Sequence, residues 1–387
     1  MTFMESFGFG GGMRRRNSVQ SKLANLHWGL LLFLTLIACV GFASQYSVAD
    51  GSWEPYASQQ IMRFLFGLAV LVLVGITDIR IWYQLAYPAY GLALILLMLV
   101  PFVGEASMGA QRWIDLGVMQ LQPSEVMKIA LVLALARFFH SQPLHNVSHP
   151  LYMLVPLVLI GIPAGLVILQ PDLGTTVLLV AGGAVVFFAA GLKWRYILGS
   201  VFMVIIAIPV AWQFLRDYQK QRVLTFMDPE SDKLGAGWHI MQSKIALGSG
   251  GVYGKGFMEG TQSHLNYLPE KQTDFIFTVW AEEFGLLGAG GLLLLYMFLL
   301  AIGMSIAFQC RNHFGRLLTT GVCVTFFLYV FINVAMVMGM VPVVGVPLPL
   351  VSYGGTSMMA LMFGFGLVMS AYIHRHMELP RAGAAMW

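Results

Sequence analysis

Leu268-Pro-Glu-Lys-Gln-Thr-Asp-Phe-Ile-Phe-Thr-Val-Trp-Ala-Glu-Glu283 is the stretch that decides how this chain folds. It closes the polar segment 214–272 and opens an apolar run that continues to Phe308. A bilayer core needs about 20 apolar residues to be crossed by a helix. The run 273–309 therefore reads as a membrane-spanning helix, long enough to tilt or to pass beyond the bilayer. Thr273 is a candidate N-cap, which places Asp274 in the first helical turn, at the lip of the span.

The rest of the chain repeats this pattern. It has 387 residues, 58% of them hydrophobic and 10% charged, with a mean hydropathy of +0.75. Soluble domains carry about 25% charged residues, so the chain is an integral membrane protein. Strands of a membrane barrel would alternate polar and apolar residues. Here the apolar runs are continuous, so the spans are helices. Ten are expected: 27–47, 58–77, 81–103, 123–141, 150–169, 172–191, 194–213, 273–309, 315–341 and 353–374. The expected class is thus an all-α integral membrane protein with about ten transmembrane helices and one large extracytoplasmic loop, 214–272. Residues 27–376 form a single polytopic domain between a cytoplasmic tail, 1–26, and a second one, 377–387.

Orientation follows from lysine and arginine. An inside N-terminus gives the short inner segments Arg14, Arg15, Arg16, Lys22, Arg80, Arg137, Lys193, Arg195, Arg311, Arg316, Arg375 and Arg381, while the short outer loops hold Arg112. That bias sets both termini in the cytoplasm. No small-residue cleavage site follows the first span, which reads as a retained anchor. The net charge of +4 is modest. No basic stripe with interleaved aromatics points to nucleic acid. Cys39, Cys310 and Cys323 lie in or at the ends of spans without CxxC spacing, so they read as packing residues. Asn146-Val-Ser148 matches a glycosylation sequon, but on the inner side.

Charges at membrane depth cost roughly 2.5–3.5 kcal/mol each on insertion scales, so each needs a partner or a wet cavity. Glu125 and Lys128, three apart on the fourth span, can pair on one helix face. They are either a structural ion pair or the wall of a charged cavity. Trp113 is either an interfacial anchor or a stacking face for a sugar. Gln170-Pro-Asp172 makes a tight outer turn in which Asp172 is placed as an N-cap. In the large loop, Arg216, Lys220 and Arg222 form a basic cluster. Gly237–Leu247 has Ile240, Lys244 and Leu247 on one face, like a helix lying on the membrane. The glycine-rich Gly248–Gly256 contains Lys255. It lacks Walker spacing and is either a phosphate-wrapping backbone or a flexible loop. Glu282 and Glu283, two turns below Asp274, need a cavity, a lysine or a proton. Val346-Pro-Leu-Pro-Leu-Val-Ser-Tyr-Gly-Gly355 implies irregular backbone at membrane depth, tolerated only under cover of protein or water. Ser352 and the glycine amides after it are candidate anion ligands. The topology brings Arg112, Glu125, Lys128, Arg222, Lys255, Asp274 and Ser352 to the outer side, as a site for an anionic amphiphile would require.

In these blocks the chain resembles the SEDS family, the shape, elongation, division and sporulation proteins, whose fold is GT-C-like. The matching blocks are Gly109-Ala-Gln-Arg-Trp113, Gln122-Pro-Ser-Glu125 with Lys128, Gln170-Pro-Asp-Leu-Gly174, and Asp228-Pro-Glu-Ser-Asp232. They continue with Gly235-Ala-Gly237, Gln242-Ser-Lys244, Gly260-Thr-Gln262, Thr273-Asp-Phe-Ile-Phe277 with Ala281-Glu-Glu283, and Pro349-Leu-Val-Ser-Tyr-Gly-Gly355. The loop wording resembles the elongation member more than the division member. The resemblance implies a peptidoglycan glycosyltransferase of the bacterial inner membrane. It would polymerise lipid II into β-1,4 glycan on the outer face during elongation and rod-shape maintenance. It makes Asp274 the essential acidic residue and sets Arg112, Trp113, Glu125 and Lys128 in a central cavity. Arg222, Lys244, Lys255, Glu282 and Ser352 are further candidates for holding substrate, and Gln170 and Asp172 form a structural turn. The implied partners are lipid II, lipid-linked glycan, elongation-complex proteins and a class B penicillin-binding protein transpeptidase, penicillin-binding protein 2. A divalent cation, Mg2+ or Mn2+, is a candidate cofactor on the diphosphate. Two other readings stay open at this point: a lipid II flippase, and a non-catalytic scaffold of the elongation complex.

Overall fold

The structure is a computed structural model. It describes residues 19–380 apart from 108–109, 116, 118–119, 144–146, 215–216, 229–235 and 266–269. Each long apolar run forms a helix because a backbone in lipid must satisfy its own hydrogen bonds. After the short α1 (Val19–Ala24) come α2 (Trp28–Val48), α3 (Tyr56–Ile76), α4 (Ile79–Val103), α5 (Pro123–Ser141) and α6 (Pro150–Leu169). They are followed by α7 (Leu173–Ala189), α8 (Trp194–Phe214), α9 (Asp217–Met227), α10 (Ala236–Ser249) and α11 (Thr261–His264). The last three are α12 (Ile276–Gln309), α13 (His313–Val337) and α14 (Gly355–Ile373). All ten expected spans are helices; the largest shift is the end of the ninth, 341 expected against Val337 observed. Among the described residues, seven helices are long and apolar enough to cross a membrane. The chain is a multi-pass membrane protein. α7 is apolar but only 17 residues long, and α5 carries Glu125, Lys128 and Arg137.

Two helices sit at the centre. α5 is buried nearly all round, and α13 presents buried residues on most of its length. α14 packs along α3, where a methyl on Gly67 would approach Met362 Cγ to 2.9 Å. Small residues at such a seam let helix backbones come close. Leu198, Phe202, Met203 and Ile205 of α8 are exposed, as lipid-facing residues should be.

The stretch between α4 and α5 differs from the expected loop. It is a small antiparallel sheet in the order β1 (Glu105–Ser107), β2 (Ala110–Asp115), β3 (Gln120–Leu121). Trp113 pairs across to Glu105, and Ile114 to Leu121. A strand gives Arg112 and Trp113 opposite faces, which a loop would not fix.

α10 forms where the amphipathic pattern predicts it, but it is docked rather than simply laid on a surface. Ile240, Ser243 and Ala246 are buried. Ser243 Oγ lies 2.9 Å from Thr278 Oγ1 in the first turn of α12 and donates to the Val337 carbonyl, 2.8 Å, at the end of α13.

Candidate active site

Asp274 lies half-buried in the turn just before α12. The expected cap is corrected. Thr273 does not cap this helix: its hydroxyl donates to Glu270 Oε2 at 3.1 Å, and α12 starts two residues later, with Phe275 as N-cap. The reason is a competition for carbonyls. A helix capped by Thr273 would use the carbonyls of Thr273 and Asp274 for its own ladder. Here donors from elsewhere occupy them. Gln272 O accepts from Gln45 Nε2 (2.9 Å) and from Tyr353 N (2.8 Å). Thr273 O accepts from Ser352 Oγ (2.6 Å), and Asp274 O from Asn333 Nδ2 (2.9 Å).

The opposing strand of this arrangement is the irregular segment 338–354, which lies between α13 and α14. Its cover is as expected: Val346, Leu348, Leu350 and Val351 are buried. Its carbonyls are held in the same way. Tyr296 Oη donates to Pro349 O (2.6 Å), and Gln45 Nε2 donates to Val351 O (3.1 Å). Gln60 Nε2 donates to Leu350 O (3.3 Å) and Ser352 O (3.0 Å). Leu350 has φ +64°, a left-handed conformation that a leucine adopts only when its surroundings impose it. Gly345, with φ +73°, faces Asp274: a Cβ built there would stand 3.4 Å from Asp274 Oδ2.

This segment is where the separate sequence signals meet. Arg112 on β2 donates to the Gln170 carbonyl at 3.4 Å and to the Pro171 carbonyl, and pairs with Asp172 at 3.8 Å. Gln170 itself donates to Leu97 O at 2.9 Å. Asp172 caps α7 as expected, accepting from Thr175 N (3.1 Å) and Thr175 Oγ1 (2.9 Å). A methyl on Gly174 in the first turn of α7 would come 2.7 Å from Val344 O, next to Gly345. Glu125 and Lys128 are paired at 2.7 Å and closed by a third group, Tyr329 of α13. Tyr329 donates to Glu125 Oε2 at 2.5 Å, and Lys128 lies over its ring, 4.3 Å from the centroid. All three are nearly fully buried, and Tyr329 packs on Val346. Lys244 is exposed and lays its stem on Gly339, at the start of the segment. Ser352 belongs to this segment, Asp274 and Lys244 approach its Gly345 and Gly339, and Arg112, Asp172, Glu125 and Lys128 connect to it only indirectly, through the first turn of α7 and through Tyr329.

Lys255 and Glu282 form a different locus. Lys255 Nζ lies 2.7 Å from Glu282 Oε1, which also accepts from Gln262 N (3.0 Å) and Thr261 Oγ1 (3.2 Å). Glu282 is fully buried. The neighbouring Glu283 accepts from Ser47 Oγ of α2. The glycine-rich segment is neither of the two things its composition suggested. It is a backbone clamp on a break in α12. Lys255 N donates to Glu282 O (3.1 Å) and Gly256 N to Glu283 O (3.0 Å). In return Leu286 N donates to Gly251 O (2.9 Å) and Leu287 N to Val252 O (3.1 Å). The break is Gly285, with φ +63° and ψ −160°.

Two of the candidate substrate ligands have partners within the protein. Ser352 is buried, its hydroxyl proton goes to Thr273 O, and its oxygen accepts from Leu348 N at 2.7 Å. It ties the Asp274 turn to segment 338–354. Lys255 spends its charge on Glu282. The Arg222 side chain, like Arg216, lies outside the described residues. Sequence reading missed Gln45, Gln60, Tyr296, Asn333 and Tyr329. The available signal was a lone polar side chain within an apolar span, which needs a partner as surely as a charge does. Among the described residues no three His, Cys, Asp or Glu side chains converge as a metal site.

The chain matches the model of the FTSW_RODA_SPOVE cell cycle protein family over residues 21–377. It belongs to that family. It is 48% identical over 352 residues to the peptidoglycan glycosyltransferase MrdB of Escherichia coli (strain K12), covering 90% of this chain and 94% of that one. It is 35% identical over 364 residues to a probable peptidoglycan glycosyltransferase FtsW of Trichlorobacter lovleyi, covering 90% and 93%. Among solved structures it is similar to a chain of a peptidoglycan synthase complex that coordinates polymerization and crosslinking: TM-score 0.79, 34% identity, 91% of this chain and 98% of that chain. It is also similar to the rod shape determining protein RodA of Thermus thermophilus, with TM-score 0.69 and 31% identity, covering 91% and 98%. The family expected from the ordered motifs is the one found, on its elongation side.

Proposed function

We propose that this chain is a peptidoglycan glycosyltransferase that polymerises lipid II into β-1,4 glycan strands at the outer face of the inner membrane during cell elongation. The near full-length identity to MrdB carries the activity. The pinned turn around Asp274 supports the chemistry assigned to it. The donor is a glycan held through an α-linked diphosphate, and the acceptor is the 4-hydroxyl of a lipid II sugar. In one inverting displacement the acceptor oxygen bonds to the anomeric carbon and the bond from that carbon to the diphosphate oxygen breaks. Asp274 takes the hydroxyl proton, and the lipid diphosphate leaves. Such a step needs a base on the acceptor and positive groups on the leaving group.

Arg112, partly exposed at the turn of residues 170–172, and Lys244, exposed beside Gly339, are the described cations best placed to meet that diphosphate. Trp113, next to Arg112 on β2, is the candidate sugar-stacking face. Lys128 contributes through the potential of a closed ion pair rather than as a direct ligand. A divalent cation, Mg2+ or Mn2+, would supply further charge neutralisation at the diphosphate. Both termini lie in the cytoplasm, on the distribution of lysine and arginine. The partner is a class B penicillin-binding protein, here penicillin-binding protein 2, which crosslinks the strands; likeness to a chain of a synthase complex supports this.

The test is polymerisation of labelled lipid II by the purified protein with its transpeptidase partner. Wild type should give glycan polymer, and Asp274→Asn should lower the rate by about 100-fold or more, the lower range for loss of a general base. Polymerisation by the Asn variant at the wild-type rate would remove Asp274 as the base. Translocation of lipid II in sealed vesicles without any polymer would favour a flippase. Inertness in both assays would favour a scaffold.

A further inference from the structure

We infer that Asn333 is a positioning residue for the transfer step: its side-chain amide fixes Asp274 to the floor on which the carboxylate rests. This rests on the reading of Asp274 as base. Asn333 is fully buried in α13, among apolar neighbours. Both amide hydrogens are directed at irregular backbone outside its own helix. One goes to Asp274 O at 2.9 Å, the other to Val346 O at 2.7 Å. Asp274 and Val346 belong to segments far apart in sequence, and Gly345 is the residue beside Asp274 Oδ2. One rigid, two-donor group therefore sets the distance between the base and the surface beside it. Gln45 performs the parallel operation two residues earlier, tying Gln272 O to Val351 O. Asn333 acts on the base itself.

The choice of amide is informative. A hydroxyl has one hydrogen and cannot donate to two carbonyls at once, and a carboxylate has none. A longer glutamine would not fit a fully enclosed site. A residue that only filled space at this position would be apolar; Asn333 stands here although its Oδ1 finds no partner, so its two donated bonds are what offset that cost. The two carbonyls also need these hydrogens, because each lies outside a helical ladder.

The consequence is kinetic. Misplacement of a reacting group by about 1 Å costs on the order of 100-fold in rate, while the surfaces that bind the lipid-linked sugar stay as they are. Asn333→Leu keeps most of the volume and removes both donors. Asn333→Ala removes volume as well. Both variants should lower kcat by about 10- to 100-fold and leave KM for lipid II within about twofold. A purely packing role would instead show Leu restoring what Ala loses. Gly345→Ala provides a second approach, from a loop and not from the buried helix. It should lower kcat with KM held, because φ +73° strains an alanine there and shifts the backbone that lies beside Asp274 Oδ2.

Wild-type kcat in a folded Asn333→Leu protein overturns the inference, and so does a change confined to KM. If both Asn333 variants fail to fold, wild-type kcat in Gly345→Ala overturns it. The companion variant Asp274→Asn separates the two ideas. Loss of activity there with wild-type kcat in Asn333→Leu means that the tether alone fails. Full activity in Asp274→Asn means that the base assignment fails, whatever Asn333 does.

Discussion

Two departures from helical geometry, the turn at Asp274 and the break at Gly285, are secured by opposite means. Around Asp274 the backbone is held by side chains: Gln45, Gln60, Tyr296, Asn333 and Ser352 each donate to main-chain carbonyls of residues 272–274 or 346–352. Around Gly285 the backbone is held by backbone: segment 251–256 exchanges hydrogen bonds with residues 282–287 and needs glycine to come close enough. Side-chain donors can hold a loop at a distance and leave a cleft beside it. Main-chain pairing brings two segments into contact and closes the space between them. The first solution suits a turn that must present a carboxylate. The second suits a joint that must carry a bent helix.

If this contrast is right, the glycine-held joint should be the less tolerant of an added methyl group. Gly254 has φ +84°, and a Cβ there would run into the Glu283 carbonyl. A left-handed conformation costs an alanine roughly 1–2 kcal/mol, and overpacking against fixed backbone about 1–3 kcal/mol. Gly254→Ala should therefore destabilise the protein by about 2–5 kcal/mol, read as a lowered melting temperature in detergent. An unchanged melting point would mean that the clamp is optional and that the segment is a loop after all.

The side-chain-held turn should respond differently, in rate more than in stability. Ser352→Ala removes the group that accepts from Leu348 N and donates to Thr273 O. Leaving such groups unpaired costs about 1–3 kcal/mol. The sharper measurement is kinetic. A brace predicts a fall in kcat at constant KM for lipid II, whereas an anion ligand predicts a rise in KM. A rise in KM alone would return Ser352 to the substrate-binding role that its sequence context suggested.

The same contrast explains what could be read from the sequence. Helices were legible because a lipid-exposed span must be apolar over a fixed length, and α2, α6 and α12 declare this without help from tertiary structure. Asp172 was legible as a cap and Glu125–Lys128 as a pair, since both are local, three residues apart. Tyr329, which closes that pair, comes from α13, 201 positions further along the chain from Lys128, and no local pattern points to it. Thr273 was misread as a cap because the competing donors, Ser352, Asn333 and Gln45, arrive from three other elements. The glycines at 250–256 were compatible with a phosphate cradle or a loop. Only the position of Gly285, about 30 residues on, shows what they approach. Short-range chemistry could be read directly, and chemistry that depends on which helices become neighbours could not.

The smallest expected effect falls where the two regions share a residue type but not a purpose. Lys255, a candidate for meeting substrate, lies beside the clamp, paired with Glu282 at 2.7 Å. Its side chain is 24% exposed, while that of Glu282 is fully enclosed. Lys255→Met removes the cation but leaves Gln262 N and Thr261 Oγ1 on the same carboxylate oxygen. The loss should be about 1–2 kcal/mol of stability, with KM for lipid II unchanged. Glu282→Gln combined with Lys255→Met should recover part of that loss, because removing both members of a buried pair is milder than orphaning one. A large rise in KM for Lys255→Met, with melting unchanged, would place this lysine on the diphosphate and make the clamp part of the substrate site.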